Sequence, residues 1–226
     1  MRAEKAPVMG TVGRPLPSTE VRIMGEHGEL LPPGRKGTVL VKGPQVMQGY
    51  YKDPAATKLL LSPDGWLDTG DSGILTVDGN LVITGRMQHA LVMRSGERVE
   101  PEPIEMVIQE SPYVQEAVLV GDRRESLGLL IVPNMDWLRR FADSRRIHWG
   151  DPKDLVGNPA VNRFFQEEVQ AHLVNSGIHF PGGTAPRIAL LPSAFEVGRE
   201  LTRTLSKRRE VITAMYEGVI DEMYRP

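Results

Sequence analysis

Turn-forming residues punctuate this sequence so densely, with 23 glycines and 18 prolines among 226 residues, that its elements must be short. EVRIM (20 to 24) and TVLVKG (38 to 43) alternate or run β-branched on either side of the turn ELLPPGRKG. ILTVDGNLVITG (74 to 85) reads as two strands across Asp78-Gly79, a pair that supplies the positive φ angles of a tight hairpin. Between them DPAATKLLL (53 to 61) carries an Asp cap and helical spacing, then stops at Ser62-Pro63. The first half is therefore expected to be β-rich.

The pattern changes after Arg86. ALVMRSGERVEP reads as a strand, a Gly turn and an extended piece ending at Pro101; PEPIEMVIQES places Ile104, Val107 and Ile108 at helical spacing behind a Pro and Glu start. EAVLVG and LGLLIVP are apolar strands flanking DRRES. MDWLRRFADSRRI and NPAVNRFFQEEVQAHLVNSG are amphipathic helices, the first ending toward Gly150, the second capped by Asn158 and closed at Gly177. A last strand, RIALLPS, leads through LTRTLSKRRE to one final helix, EVITAMYEGVIDEMY. The expected fold is mixed α+β and α/β: a β-rich subdomain over 1–85, then a small α/β domain over 86–226.

Charge and composition narrow the function classes. A formal net charge of −2 gives no global field toward nucleic acid or an anionic membrane, so no nucleic-acid partner is expected. Without cysteine the chain has no disulfide, thiolate metal site or Cys nucleophile. The N-terminus lacks a signal-peptide apolar run and no stretch of ~18 apolar residues is present, so a soluble chain is expected. His27, His89, His148, His172 and His179 show no metal-ligand spacing, and Ser18, Ser95 and Ser126 lack a nucleophile-elbow context.

Two stretches carry candidate chemistry. In GWLDTGDSG, Asp71 is expected on a fixed turn at a sheet edge with a free carboxylate. It either accepts two hydrogen bonds from a vicinal diol such as a ribose or closes an Asx-turn on its own backbone. In LTRTLSKRRE, the adjacent cations Lys207, Arg208 and Arg209 are a polyanion patch, a catalytic lysine loop or a solvated helix start.

Five collinear stretches, GTVGRPLPSTEVRI, QGYYKDPAATK, GWLDTGDSG, LVITGRMQHALVMRSGERVEPEPIE and ELTRTLSKRREVI, resemble the AMP-forming acyl-CoA synthetases, within them the long-chain fatty acid branch. The family's Ser/Thr/Gly-rich phosphate loop and Tyr-Gly-x-Thr-Glu segment do not appear. The resemblance therefore implies a carboxy-terminal fragment, inactive alone: the last β-rich subdomain of a large N-terminal domain, part of a distorted barrel, followed by a mobile lid. It implies ATP/AMP, Mg²⁺, and coenzyme A or phosphopantetheine as cofactors. Its implied partners are a fatty acid, coenzyme A or an acyl carrier protein, and the missing N-terminal domain of the same chain. The implied location is cytoplasmic or peripheral at a membrane.

By the same resemblance Asp71 and Arg86 contact the nucleotide ribose, and Gly96 lines the passage of the pantetheine arm. Relatives carry Gly-Arg-x-Lys-Asp at the hinge; here Gln88 stands at the pivot and His89, read as a surface replacement, follows it. Relatives carry Leu-Thr-Pro-Thr-Leu-Lys in the lid loop, the lysine binding the α-phosphate and carboxylate; here Arg203 replaces the proline and Ser206 the lysine. In an extended segment Lys207 would face opposite to Ser206. Three readings stay open: Lys207 as a slipped-register catalytic lysine, impaired adenylation, or a nucleotide-binding pseudoenzyme. Fusion to an acyltransferase is also compatible with the chain.

Overall fold

The computed structural model describes residues 8–178, 180–181 and 185–225; the expectation for His179 falls outside them. The chain divides into two compact units, Met1–Gln88 and His89–Pro226.

The first unit is an antiparallel sheet of four sequential strands, β1 (Glu20–Met24), β2 (Lys36–Lys42), β3 (Leu67–Leu75) and β4 (Leu81–Arg86), in the order β1-β2-β3-β4. One face is apolar: Ile23, Val39 and Leu81 are buried, with Val21, Leu31, Val41 and Leu75 packed against them. Among the described residues the sheet stays open, with β1 and β4 at its edges, rather than closing into a barrel. The β3–β4 turn is looser than the sequence suggests. Thr76 N–H donates to Asn80 C=O at 2.8 Å and only Gly79 has positive φ (+79°), the signature of a three-residue loop with glycine at the left-handed position. Helix α1 (Pro54–Leu60) starts as read, with the Asp53 carboxylate accepting from Ala56 N–H.

The second unit is layered. Strands β7 (Val114–Val120), β8 (Gly128–Pro133) and β9 (Arg187–Leu190) form one sheet, β7 antiparallel and β9 parallel to the central β8. Alternate side chains of β8 enter two different cores: Leu129 and Ile131 join one, Leu130 and Val132 the other. A strand buried on both faces reads as a continuous apolar run, and LGLLIVP does. The first core is covered by α2 (Pro101–Gln109), α3 (Met135–Ser144), α4 (Pro152–Val156) and α5 (Pro159–Ser176). The second is covered by α6 (Arg209–Met215) and α7 (Glu217–Met223). Helix α5 buries Val161, Phe165, Val169 and Leu173, one residue per turn, between Asn158 at its start and Gly177 at φ +68°.

Two sequence expectations need correction. The helix over MDWLRRFADSRRI ends at Ser144, and a separate α4 follows, started by a reciprocal Asp151/Asp154 capping box that the D-P-x-D spelling signalled. The last helix is two, broken at Tyr216, whose hydroxyl reaches the buried Glu200 carboxylate at 3.2 Å. A short hairpin, β5 (Leu91–Val92) with β6 (Arg98–Val99), precedes α2.

Candidate functional site: the Asp71–Arg86 pair and the 201–207 turn

Asp71 lies within β3, an interior strand, not on an edge turn. Pairing with β2 runs Leu40↔Asp68 and then Thr38↔Ser72, so residues 69–71 bulge opposite Val39 alone. Side chains complete the interrupted ladder. Thr69 Oγ1 donates to Val39 C=O at 2.9 Å, the Asp68 carboxylate accepts from Gly70 N–H at 2.8 Å, and Asp71 N–H donates to Thr69 Oγ1 at 3.2 Å. Gly70, at φ +70°, permits the bend. The backbone-tying carboxylate is thus Asp68, and Asp71 faces Arg86, its register partner on β4.

The Asp71 carboxylate is not free: Arg86 Nε lies 3.0 Å from Asp71 Oδ1, with the side chains 24% and 57% exposed. A carboxylate offers about four acceptor positions and a guanidinium five donors, so this single contact leaves both groups capacity for a ligand. Gln88 is exposed, within the 3₁₀ turn Met87–His89. Gly96 sits in the turn between β5 and β6 at φ +88°. Its N–H donates to Met93 C=O, and a Cβ there would meet nothing within 4 Å, so conformation rather than crowding requires glycine.

The 201–207 stretch is a tight hairpin. Leu201 bridges Lys207, Thr202 N–H donates to Ser206 C=O at 2.8 Å, and Leu205 N–H to Thr202 C=O at 3.0 Å; Leu205 sits at φ +63°. Ser206 is exposed and Lys207 faces the opposite way, as extended geometry predicts. The Lys207 ammonium donates to Glu105 Oε2 (3.1 Å), Gln109 Oε1 (2.8 Å) and Ala117 C=O (2.7 Å), with Glu116 3.5 Å away. All three of its protons are engaged. Arg209 donates to the same Glu105 oxygen at 2.7 Å and lies 3.7 Å from Glu102, and Arg208 donates to the carbonyls of Gly198 and Arg199. Lys207 and Arg209 are therefore fastened to α2 rather than presented together as a polyanion patch, while Arg208 is exposed at the N-cap of α6 and Arg209 begins that helix.

Sequence reasoning missed the acceptors. Glu102, Glu105 and Gln109 recur at spacings of three and four along PEPIEMVIQ, one face of α2 beside its Ile104/Ile108 face, and that stripe was the available signal. Glu105 is 3% exposed, its other oxygen accepting from Leu119 N–H at 2.7 Å. His89 is engaged as well, Nδ1 lying 2.6 Å from Glu102 Oε1. At the base of the turn, burial pushes the Glu200 carboxyl up, but the N–H groups of Glu196 and Glu200 and the Tyr216 hydroxyl outweigh it and hold the group below its ordinary value.

Comparison with known proteins matches residues 1–51 to the family described as AMP-binding enzyme and residues 88–148 to the AMP-binding enzyme C-terminal domain. Two separate segments of the chain thus match models of AMP-binding enzymes. The chain is 32% identical to a probable acyl-activating enzyme, chloroplastic, of Arabidopsis thaliana, over 96% of this chain and 31% of the relative. It is 32% identical to human long-chain-fatty-acid–CoA ligase 1, over 95% of this chain and 31% of the relative. A chloroplastic long-chain fatty acid acyl-carrier-protein ligase of Arabidopsis thaliana is also 32% identical, over 96% of this chain and 29% of the relative. The chain thus spans about a third of the length of the curated relatives it matches. Among solved structures, the amide bond synthetase McbA from Marinactinospora thermotolerans superposes with TM-score 0.64 at 26% identity, over 92% of this chain and 36% of that one. The adenylation domain of a carboxylic acid reductase from Segniliparus rugosus, solved with AMP and a carboxylic acid, shares the fold at TM-score 0.75 and 21% identity, over 93% of this chain and 32% of that one. Gln88 and Gly96 fall inside the matched C-terminal family segment; Asp71, Arg86, Ser206 and Lys207 fall outside both matched segments.

Proposed function

We propose that this chain supplies the C-terminal part, residues 1–85 and 86–226 as two domains, of an ATP-dependent, AMP-forming fatty acyl ligase, and is inactive alone. The matches of two segments to AMP-binding enzyme models support the reading, as do relatives named as fatty acid ligases. The observation that carries it is the Asp71–Arg86 pair, a carboxylate and a guanidinium held in register on adjacent strands with acceptor and donor capacity to spare.

The reaction has two displacements. A fatty acid carboxylate oxygen attacks the α-phosphorus of ATP; the new P–O bond gives an acyl-adenylate as the bond to pyrophosphate breaks. A thiol, of coenzyme A or of a carrier protein's pantetheine, then attacks the acyl carbon, releasing AMP and a proton. In this scheme Asp71 accepts from the ribose hydroxyls and Arg86 donates beside it. Gln88 is the pivot between the two half-reactions, and Gly96 keeps the β5–β6 turn clear of side-chain atoms for the pantetheine arm. Among the described residues no group of three or more His, Asp or Glu is placed to hold a metal, so Mg²⁺ would arrive on the ATP phosphates and supply charge neutralisation there. No helix among the described residues is long and apolar enough to cross a membrane; a cytoplasmic or membrane-peripheral site of action belongs to the proposal.

One observation favours a second reading, reduced adenylation or a pseudoenzyme: Ser206 faces outward at the position of the family lysine while the half-buried Lys207 is held by Glu105 and Gln109. Fatty-acid-dependent exchange of pyrophosphate into ATP by the longer polypeptide separates the two. Exchange that falls on Asp71→Asn supports the ligase, and absence of exchange in folded protein supports the second reading. The 226-residue chain should bind AMP weakly; submicromolar affinity by calorimetry would contradict its assignment as one part of the site.

A further inference from the structure

Strand β5 pairs along one edge with β6 and along its other edge with the turn that joins β7 to β8. Val92 N–H donates to Asp122 Oδ1 at 2.9 Å, Arg123 N–H donates to Val92 C=O at 2.7 Å, and Arg94 N–H donates to Arg124 C=O at 2.9 Å. The β5–β6 hairpin has two paired residues on each strand, too few to hold a shape alone. Met93 and Val99 sink one of its faces into the first core, which fixes its depth. The direction of its tip, where Gly96 N–H donates to Met93 C=O, is left to the bonds along the edge. The turn that supplies them is itself constrained. Arg123 holds φ +59° although its side chain is 90% exposed, so no burial selects that conformation. On the turn's far side Arg124 donates to the Asp221 carboxylate of α7 and stacks 4.3 Å over the Tyr224 ring, and the Tyr224 hydroxyl donates to Ser126 C=O at 2.9 Å.

We propose that Asp122 is a positioning residue for thiol transfer: the turn 121–126, clamped to α7, aims the β5–β6 hairpin and so sets where Gly96 stands. Asp122 touches no substrate and acts through the Val92 N–H. A carboxylate accepts from a backbone N–H more strongly than a neutral carbonyl does, which suits a single bond that must hold one end of a short strand. The other Asp122 oxygen lies 3.6 Å from Arg123 Nε, an exposed contact that contributes little in water. The proposal rests on the ligase reading for the role of Gly96, and adds to it the residues that hold Gly96 in place from outside its own hairpin.

Two substitutions separate the bond from the fold. Asp122→Ala removes the acceptor from an exposed turn, and Asp122→Asn keeps a side-chain oxygen at the same reach. Amide hydrogen exchange of the 226-residue chain, followed by NMR, reads the hairpin directly. In Asp122→Ala the Val92 and Gly96 amides should lose about tenfold in protection while those of Leu129, Leu130 and Ile131 on β8 keep theirs, and Asp122→Asn should restore the hairpin. In the longer polypeptide, Asp122→Ala should lower thioester formation about tenfold relative to fatty-acid-dependent pyrophosphate exchange, with Asp122→Asn close to wild type. A merely structural role would lower both reactions together. That outcome, or hairpin amides in Asp122→Ala as protected as in the wild type, would overturn the proposal. Unchanged protection beside a wild-type polypeptide that forms thioester refutes the positioning role and spares the ligase reading. A loosened hairpin in a polypeptide that neither adenylates nor forms thioester refutes the ligase reading, and with it the role in thiol transfer.

Discussion

Lys207 Nζ and Glu105 Oε2 meet at 3.1 Å across 102 residues of sequence, with side chains only 16% and 3% exposed. Glu105 also takes Arg209, so one buried carboxylate fastens both ends of the Lys207–Arg209 run to α2 and β7. Removing one partner of such a pair strands the other charge, at a cost of about 3–5 kcal/mol. Glu105→Gln and Lys207→Met should each lower the stability of the second unit by about that amount in urea unfolding. Their double mutant should be less destabilised than the sum, since the stranded charge is gone. Strict additivity would show that the two groups do not interact.

How much of this was legible beforehand can be argued from particular residues. Asn158, Pro159 and Gly177 spelled both ends of α5, and the unbroken apolar run of β8 announced a strand buried on both faces. The Asp71 environment was not legible, because a three-residue bulge and the identity of a register partner depend on where β2 and β4 come to lie. The alternation rule correctly turned Lys207 away from Ser206, but what it turned toward lies 90 to 102 residues away in sequence. The contact at the Tyr216 break was not legible either, because Glu200 is a tertiary partner that periodicity within one segment does not reveal.

Tyr224 gives a pH signature. Burial pushes its phenol up to about 12, with Arg124 and Arg187 beside it pulling partway back, and its hydroxyl donates to Ser126 C=O at 2.9 Å. The unfolded chain releases the same proton near pH 10. The folded state holds the proton more tightly, so this contribution is complete below pH 10 and is lost as pH rises through about 12. Unfolding midpoints of wild type should fall over that interval more steeply than those of Tyr224→Phe. Parallel curves would contradict the assignment.

Leu205 offers a stabilising change. With φ +63° and an exposed side chain it has little burial to lose, and glycine adopts that conformation without strain. Leu205→Gly should raise stability by about 0.5–1 kcal/mol, the relief of strain exceeding the entropy that glycine loses on folding. A drop in thermal midpoint would mean that the leucine side chain contributes packing outweighing its strain.

Ser206 faces outward, so a lysine there would present its ammonium on the same side as the serine hydroxyl rather than join the Glu105 network. If adenylation is reduced by the missing charge, Ser206→Lys should raise pyrophosphate exchange by about tenfold or more, as a charge-assisted contact of roughly 1.5–3 kcal/mol allows. No gain in a folded variant counts against impairment at this position.

The central claim is that Asp71, Arg86 and the second unit belong to a working acyl ligase. The measurement that tests it most directly is ATP- and fatty-acid-dependent thioester formation by the longer polypeptide, with coenzyme A and an acyl carrier protein offered separately, for wild type and Asp71→Asn. The account predicts turnover with at least one thiol and a loss of about 10- to 100-fold on Asp71→Asn, the size expected for removing a proposed charge-assisted contact to ribose. Folded wild-type protein that makes no thioester at any acyl chain length, or an Asp71→Asn variant as active as wild type, would contradict it.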